Sequence, residues 1–256
     1  MPASKAGANS TAIDIMAVEQ GEATFYLLGT TGLIFNRPSE KAKRELLFPS
    51  GRKSAVQKAT TLKHEPLKEY RASVHSVPDG PTLLAGPSVW FKGAMRTAAL
   101  DLPGASKTQI GRLTYVAGTY VHIYGVPELL MAITRSADMN RTPDVRTRAI
   151  VPRWACSITV KYIEPLMKAQ MVAHLLAAAG FAVGVGDWRQ EKGSGNFGLF
   201  SLVPPDDAEY REIVATGGRA AQVAALESPA CYDEETADLL AWYDTELDSR
   251  KLRGVA

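Results

Sequence analysis

The chain is poor in the residues that carry most enzyme chemistry. It has two cysteines, Cys156 and Cys231, in 256 residues. Two lone cysteines make neither a disulfide framework nor a CxxC zinc pair. Cys156 lies in an apolar run and reads as a small buried hydrophobe. The four histidines, His64, His75, His122 and His174, are scattered, and no two stand at metal-ligand spacing. There is no GxSxG, no DxD and no Gly-Lys-Ser/Thr phosphate loop. Asp138 and Asp187 are lone acids and read as turn or cap residues. His64 sits in a basic stretch, where it is a weak candidate for a general base in RNA cleavage because no acid partner can be named. No catalytic constellation is recognisable, and neither a metal nor a cofactor is expected.

Long apolar runs are also missing. No stretch approaches the roughly 18 uninterrupted apolar residues that a membrane-spanning helix needs. The opening MPASKAGANSTAIDIM lacks the continuous apolar core of a signal peptide. The expectation is a cytoplasmic protein without membrane attachment.

What is present is ordinary globular material. Hydrophobic residues make up 46% and charged residues 22%, enough to bury a sizeable core. The net charge of +2 hides an asymmetry. Residues 37–72 hold ten Lys/Arg against four Asp/Glu, and residues 206–256 hold twelve Asp/Glu against five Lys/Arg. The basic part, with Arg52 and Lys53 at its centre, suits phosphates, and the acidic part suits a basic surface. Both also read as solvated faces.

Residues 1–20 lack periodicity and are expected to be flexible. Thr24–Gly29 reads as a first strand and Ser39–Leu47 as a helix. Lys53–Tyr70 is polar, basic and helical in part. Thr82–Ala85 is a short strand before a helix with Ser88 as N-cap. In that helix Phe91, Met95 and Ala98 recur at helical spacing. Leu113–Val126 alternates and suggests a hairpin turning near Ala117-Gly118. Leu129–Thr134 is a strand, and Arg135–Arg148 is polar and arginine-rich. Trp154–Ile163 alternates clearly as a strand. Leu166–Ala179 reads as a helix with Pro165 in its first turn and Gly180 as C-cap. Phe181–Val185 and Leu199–Val203 read as strands around a glycine-rich loop. Ala208–Thr216, Arg219–Leu226 and Glu234–Leu247 read as helices.

The order strand–helix–strand–strand, twice, predicts an α+β fold. It is a modified ferredoxin-like or RRM-like antiparallel sheet with helices on one face. The predicted organisation is a core over 21–205 with a basic insertion at 37–80, then an acidic helical appendage over 206–256. The open face of such a sheet often serves single-stranded RNA.

Three segments could carry that function. In Pro87–Arg96, PSVWFKGAMR, Lys92 and Arg96 lie one helical turn apart, and Gly93 allows a backbone or phosphate to come close. The same segment also reads as a surface helix with solvated charges, and Trp90 as core. In Gly184–Gly198, GVGDWRQEKGSGNFG, glycines permit close approach, Arg189 and Lys192 supply charge, and Trp188 offers a stacking surface. It also reads as a connection between two strands. It is neither a dinucleotide fingerprint nor a Walker loop. The arginines Arg135, Arg141, Arg146 and Arg148 suit bidentate phosphate contacts, or equally a solvated loop.

Together, the Pro87–Arg96 and Gly184–Gly198 segments resemble the RAMP superfamily, the repeat-associated proteins that form backbone and processing subunits of CRISPR effector complexes. The likeness covers roughly residues 22–203: a "Pro, small, Ser, hydrophobic, Lys-Gly, two residues, Arg" helix start, and a closing strand, helix, glycine-rich loop and strand. The long charged loop and the acidic tail depart from the family pattern. The GVGDWR and GSGNFG ending is also similar to that of uncharacterised phage and prophage proteins. The RAMP resemblance implies RNA binding without strong sequence preference and head-to-tail oligomers along a guide RNA. It also implies Lys92, Arg96, Arg189 and Lys192 as phosphate contacts. The expected partners are RNA or single-stranded DNA, in a homo-oligomer or a multiprotein complex. The rivals are an endoribonuclease of the same fold and a phage structural or assembly protein without a nucleic-acid role.

Overall fold

The computed structural model describes residues 16–38, 40–48, 63–135, 143–192 and 195–252. In chain order the elements are β1 (Glu19–Gly29), β2 (Leu33–Ile34), α1 (Glu40–Leu47), α2 (Pro66–Ser73), β3 (Ala85–Pro87), α3 (Ser88–Ala98), α4 (Lys107–Leu113), β4 (Thr114–Val116), β5 (Tyr120–His122) and β6 (Glu128–Arg135). There follow β7 (Pro143–Val151), β8 (Ala155–Glu164), α5 (Ala169–Ala182), β9 (Phe200–Val203), α6 (Ala208–Thr216), α7 (Arg219–Glu227) and α8 (Glu234–Leu252).

The main sheet has the order β4-β8-β1-β9, with every neighbouring pair antiparallel. Alternation sets its two faces. Phe25 and Leu27 of β1, Cys156, Ile158 and Val160 of β8, and Phe200 of β9 point into the core. There they meet Phe91 and Met95 of α3 and Leu175 and Leu176 of α5. Helices α3 and α5 pack on each other, α5 against β1 and β9, and α3 against β4. The chain is an α+β protein built on antiparallel sheets. A second sheet, β2-β7-β6, carries α2, and β3 pairs with β5.

The second face of the main sheet is covered at one end. Tyr210 and Ile213 of α6 pack on Tyr26, Leu28, Ala155 and Val203. The Tyr26 and Tyr210 rings meet edge-on at 5.5 Å. The other end is polar: Glu22 pairs with Lys161 at 3.4 Å, and the Thr24 and Thr159 hydroxyls lie 2.9 Å apart.

The C-terminal helices are stitched to the rest by polar side chains. The fully buried Gln222 accepts from Leu83 N and Leu84 N and donates to the carbonyls of Ile123, Gly125 and Gly217. Arg219 donates to the carbonyls of Val77, Gly80 and Thr82. Arg71 donates to the carbonyls of Leu226 and Glu227 at the end of α7.

Several expectations are corrected. The strands β4 and β5 do not form a hairpin: β4 pairs with β8, and β5 with β3. The arginine-rich stretch is not irregular from residue 143 onward, because β7 begins there and pairs with β6 along its length. Helix α5 starts at Ala169, beyond Pro165, and runs through Gly180 to Ala182, so Phe181 ends a helix instead of opening a strand. Gly180 is no C-cap. A Cβ there would overlap the Phe200 carbonyl, so it lets β9 lie close to the helix. The left-handed residue after the helix is Gly184, at φ 76°, whose N–H reaches the Ala179 carbonyl at 2.8 Å.

Candidate nucleic-acid interface

Helix α3 buries Phe91, Ala94, Met95 and Ala98, which fixes the side it shows outward. Lys92 and Gly93 are half-buried there, and Arg96 is exposed one turn on. A Cβ added at Gly93 would meet nothing within 4 Å. Arg96 lies across the backbone of α4: a Cβ at Gly111 would stand 2.8 Å from its Nε. Helix α4, which packs on α3, carries two exposed cations, Lys107 and Arg112. Sequence reasoning passed over this segment. Its signal was a Ser before KTQIGRL, a helix start with a cation at each end.

The glycine-rich loop reaches this helix. The Thr97 hydroxyl donates to Glu191 Oε1 at 3.3 Å, and Glu191 also pairs with Arg189 at 3.2 Å. Two segments nearly a hundred positions apart in the chain are thus brought together. Arg189 is mostly covered and engaged by Glu191. Lys192 ends a short 3-10 turn, Gln190–Lys192, and its side chain lies outside the described residues.

Trp188 is not a free stacking surface. Its ring packs on Phe197 at 5.5 Å and against the small cluster of Ile34, Leu130 and Ile150. Its backbone holds φ 53°, a conformation costing a side-chain-bearing residue about 1–2 kcal/mol. The ring packing offsets that strain.

The arginines separate. Arg146 is exposed on β7. Arg148 is 8% exposed and donates to Asp187 at 2.9 Å, and its Nε has no partner among the described residues. Burial lowers the Arg148 pKa, and Asp187 opposes the shift. Arg148 is therefore a latch between β7 and the loop instead of an exposed phosphate contact, and Asp187 is more than a turn residue. The side chain of Arg135 and all of Arg141, Arg52 and Lys53 lie outside the described residues.

His64 is held between two acids. Its Nδ1 is 3.2 Å from Glu69 and its Nε2 is 3.2 Å from Asp144. Burial works against the Asp144 carboxylate, but Lys63 at 2.6 Å and His64 hold its pKa below the usual range. Neither ring nitrogen is open to a substrate hydroxyl. Cys156 is fully buried, and burial pushes its thiol pKa upward.

No family model matches the chain, and no curated protein matches it. Among solved structures it is similar to a chain of the type III-B Cmr-beta complex bound to cognate target RNA. The TM-score is 0.37 and the identity 12%, over 72% of this chain and 59% of that one. It is also similar to Cmr6 from Pyrococcus furiosus, with TM-score 0.34 and 10% identity, over 74% of this chain and 100% of that one. No described helix is long and apolar enough to cross a membrane.

Proposed function

We propose that the chain binds single-stranded nucleic acid, RNA in the first instance, along the outer side of α3, as a repeated subunit of a ribonucleoprotein assembly. Its core is taken as a modified ferredoxin-like fold of the RAMP kind, since β1, α3, β4, β8, α5 and β9 follow one another in the order of a β-α-β-β-α-β unit.

The observation that carries the reading is Gly93. A glycine inside a helix destabilises it by about 1 kcal/mol relative to alanine. Elsewhere such a glycine lets a neighbour come close, as at Gly180. At Gly93 no described residue comes within 4 Å of such a Cβ, the residue stands between Lys92 and Arg96 in the chain, and the adjoining helix α4 carries the exposed Lys107 and Arg112. A phosphodiester chain would fill that space: its phosphates need cations, and its backbone needs an approach free of Cβ.

The test is anisotropy of a labelled single-stranded RNA between roughly 50 and 200 mM salt. Affinity should fall steeply, by a slope of about 0.7 per neutralised phosphate. Replacing Lys92 and Arg96 together by Ala should flatten the slope by about 1.4. Unlabelled DNA of the same sequence measures the preference between the two polymers. Size-exclusion before and after RNase reports the assembly. A chain that fails to bind either polymer at low salt refutes the proposal.

A further inference from the structure

Helix α1 stands apart from the rest of the fold. It has eight residues, and no other described element packs broadly on it. A helix of that length is marginal in water unless a neighbour buries one of its sides. The sequence supplies such a side. The Phe48 N–H reaches the Arg44 carbonyl at 2.7 Å, so helical bonding carries on to Phe48. Arg44, Leu47 and Phe48 are then surface neighbours at i, i+3 and i+4. Leu47 is 73% exposed and Phe48 78%, and Leu46 beside them is 80% exposed. A run of large apolar residues left in solvent marks a contact site.

Helix α8 presents the complementary chemistry. Its inner side is fixed by Thr236, whose hydroxyl accepts from Met131 N at 3.2 Å, by Leu239 and Leu240 against the core, and by Tyr243, which donates to the His64 carbonyl at 3.1 Å. Glu234, Asp238 and Trp242, one turn apart from each other, are exposed, and Trp242 is 69% exposed. Residues 234–248 hold six Asp/Glu and no Lys/Arg. A Trp standing among acids fits a partner that brings apolar side chains and a cation, because the ring takes both. The apolar end of α1 and the Trp242 ring are both open to solvent, so they do not meet within one chain.

We infer that α1 of one copy docks on the outward side of α8 of a second copy, with Leu47 and Phe48 against the Trp242 ring and Arg44 towards Asp238. The inference rests on the repeated-subunit part of the reading above and names the contact that joins the subunits. Charge chooses the occupant: α1 lies in the segment with ten Lys/Arg against four Asp/Glu, and α8 in the one with twelve Asp/Glu against five Lys/Arg. The two surfaces are different parts of the chain, so the contact is heterologous. Each pair keeps one α1 and one α8 unused, and further copies add in a row or close a ring. Neither surface includes α3.

The test is sedimentation velocity of the full chain over a range of concentrations, beside anisotropy of a short single-stranded RNA. The parent should associate increasingly with concentration. Trp242→Ala removes the central ring and should weaken that association by about 30-fold. Arg44→Glu and Asp238→Arg each place like charges across the contact and should each weaken it by about 5-fold or more. An equimolar mixture of these two variants should associate as the parent does, because each then meets an opposite charge on the other. All three positions are exposed, so thermal midpoints and RNA affinity should stay at parent values. A parent that remains monomeric at its highest soluble concentration overturns the inference, as does association that the three variants leave intact or that mixing fails to restore. RNA binding that persists in any of those cases leaves the nucleic-acid reading standing. Association with the expected variant pattern but no RNA binding upholds the contact and removes that reading.

Discussion

A methyl group added at Gly186 would lie 2.6 Å from Leu33 and 2.7 Å from the Ile34 carbonyl, whereas one added at Gly93 would meet nothing within 4 Å. The loop and the helix both carry glycines beside cations, and both attract the same functional reading from sequence. Their physics differs. In the loop, Gly184, Gly186 and Gly198 hold positive φ, and a Cβ at Gly195 or Gly198 would overlap the carbonyl of Trp188 or Val185. Those glycines let the loop fold back on itself and on β2, and Arg148 fastens the result to β7. In the helix, no described residue comes within 4 Å of where a Cβ at Gly93 would stand. A glycine explained by its neighbours is evidence about the fold, and one left unexplained is evidence about what binds.

The contrast breaks most easily at Gly198. Alanine there meets a φ of 73° and a backbone carbonyl that cannot rotate away. The left-handed backbone and the overlap together should cost about 3 kcal/mol or more. Urea unfolding would show a lower midpoint with the slope unchanged. A wild-type midpoint would mean that the loop is not held as described. Asp187→Asn should cost less, about 2 kcal/mol, because it leaves the buried Arg148 without its counter-charge while water still reaches the one-third-exposed partner. It also separates the roles of Arg148. A latch predicts lost stability, and a phosphate ligand released from its acid predicts tighter RNA binding.

How much of this was legible beforehand follows from how local each cause is. Helix α6 was readable because its signals lie within a few residues, including Asp207, whose side chain accepts from Tyr210 N at 2.9 Å. Strand β8 was readable from its own alternation. The pairing of β4 with β8 was not, because two short strands with a glycine between them carry the local signature of a hairpin whoever their partners are. Arg148 looked like its exposed neighbour Arg146 because the acid that buries it lies in another segment. Gln222 had no signal at all: a lone Gln in an Ala-rich helix gives no hint that its amide closes five backbone hydrogen-bonding groups. The α3 cations were legible as a pair, but α4 beside them was not, since Gly111 weakens its helical pattern and is explained only by the overlying Arg96.

The smallest effect sharpens the comparison furthest. Gly93→Ala adds one methyl to open space on a helix whose φ at that position is ordinary. Propensity alone should stabilise the protein by about 0.5–1 kcal/mol, the reverse in sign of Gly198→Ala. If the glycine exists to admit a phosphodiester backbone, that stabler variant should bind single-stranded RNA more weakly, with the salt slope nearly intact because Lys92 and Arg96 remain. Lower stability would show that the helix itself needs Gly93. A gain in stability with undiminished binding would show that the glycine serves neither. Only a gain in one and a loss in the other fits a residue retained for its ligand, and thermal unfolding beside anisotropy on the same sample measures both.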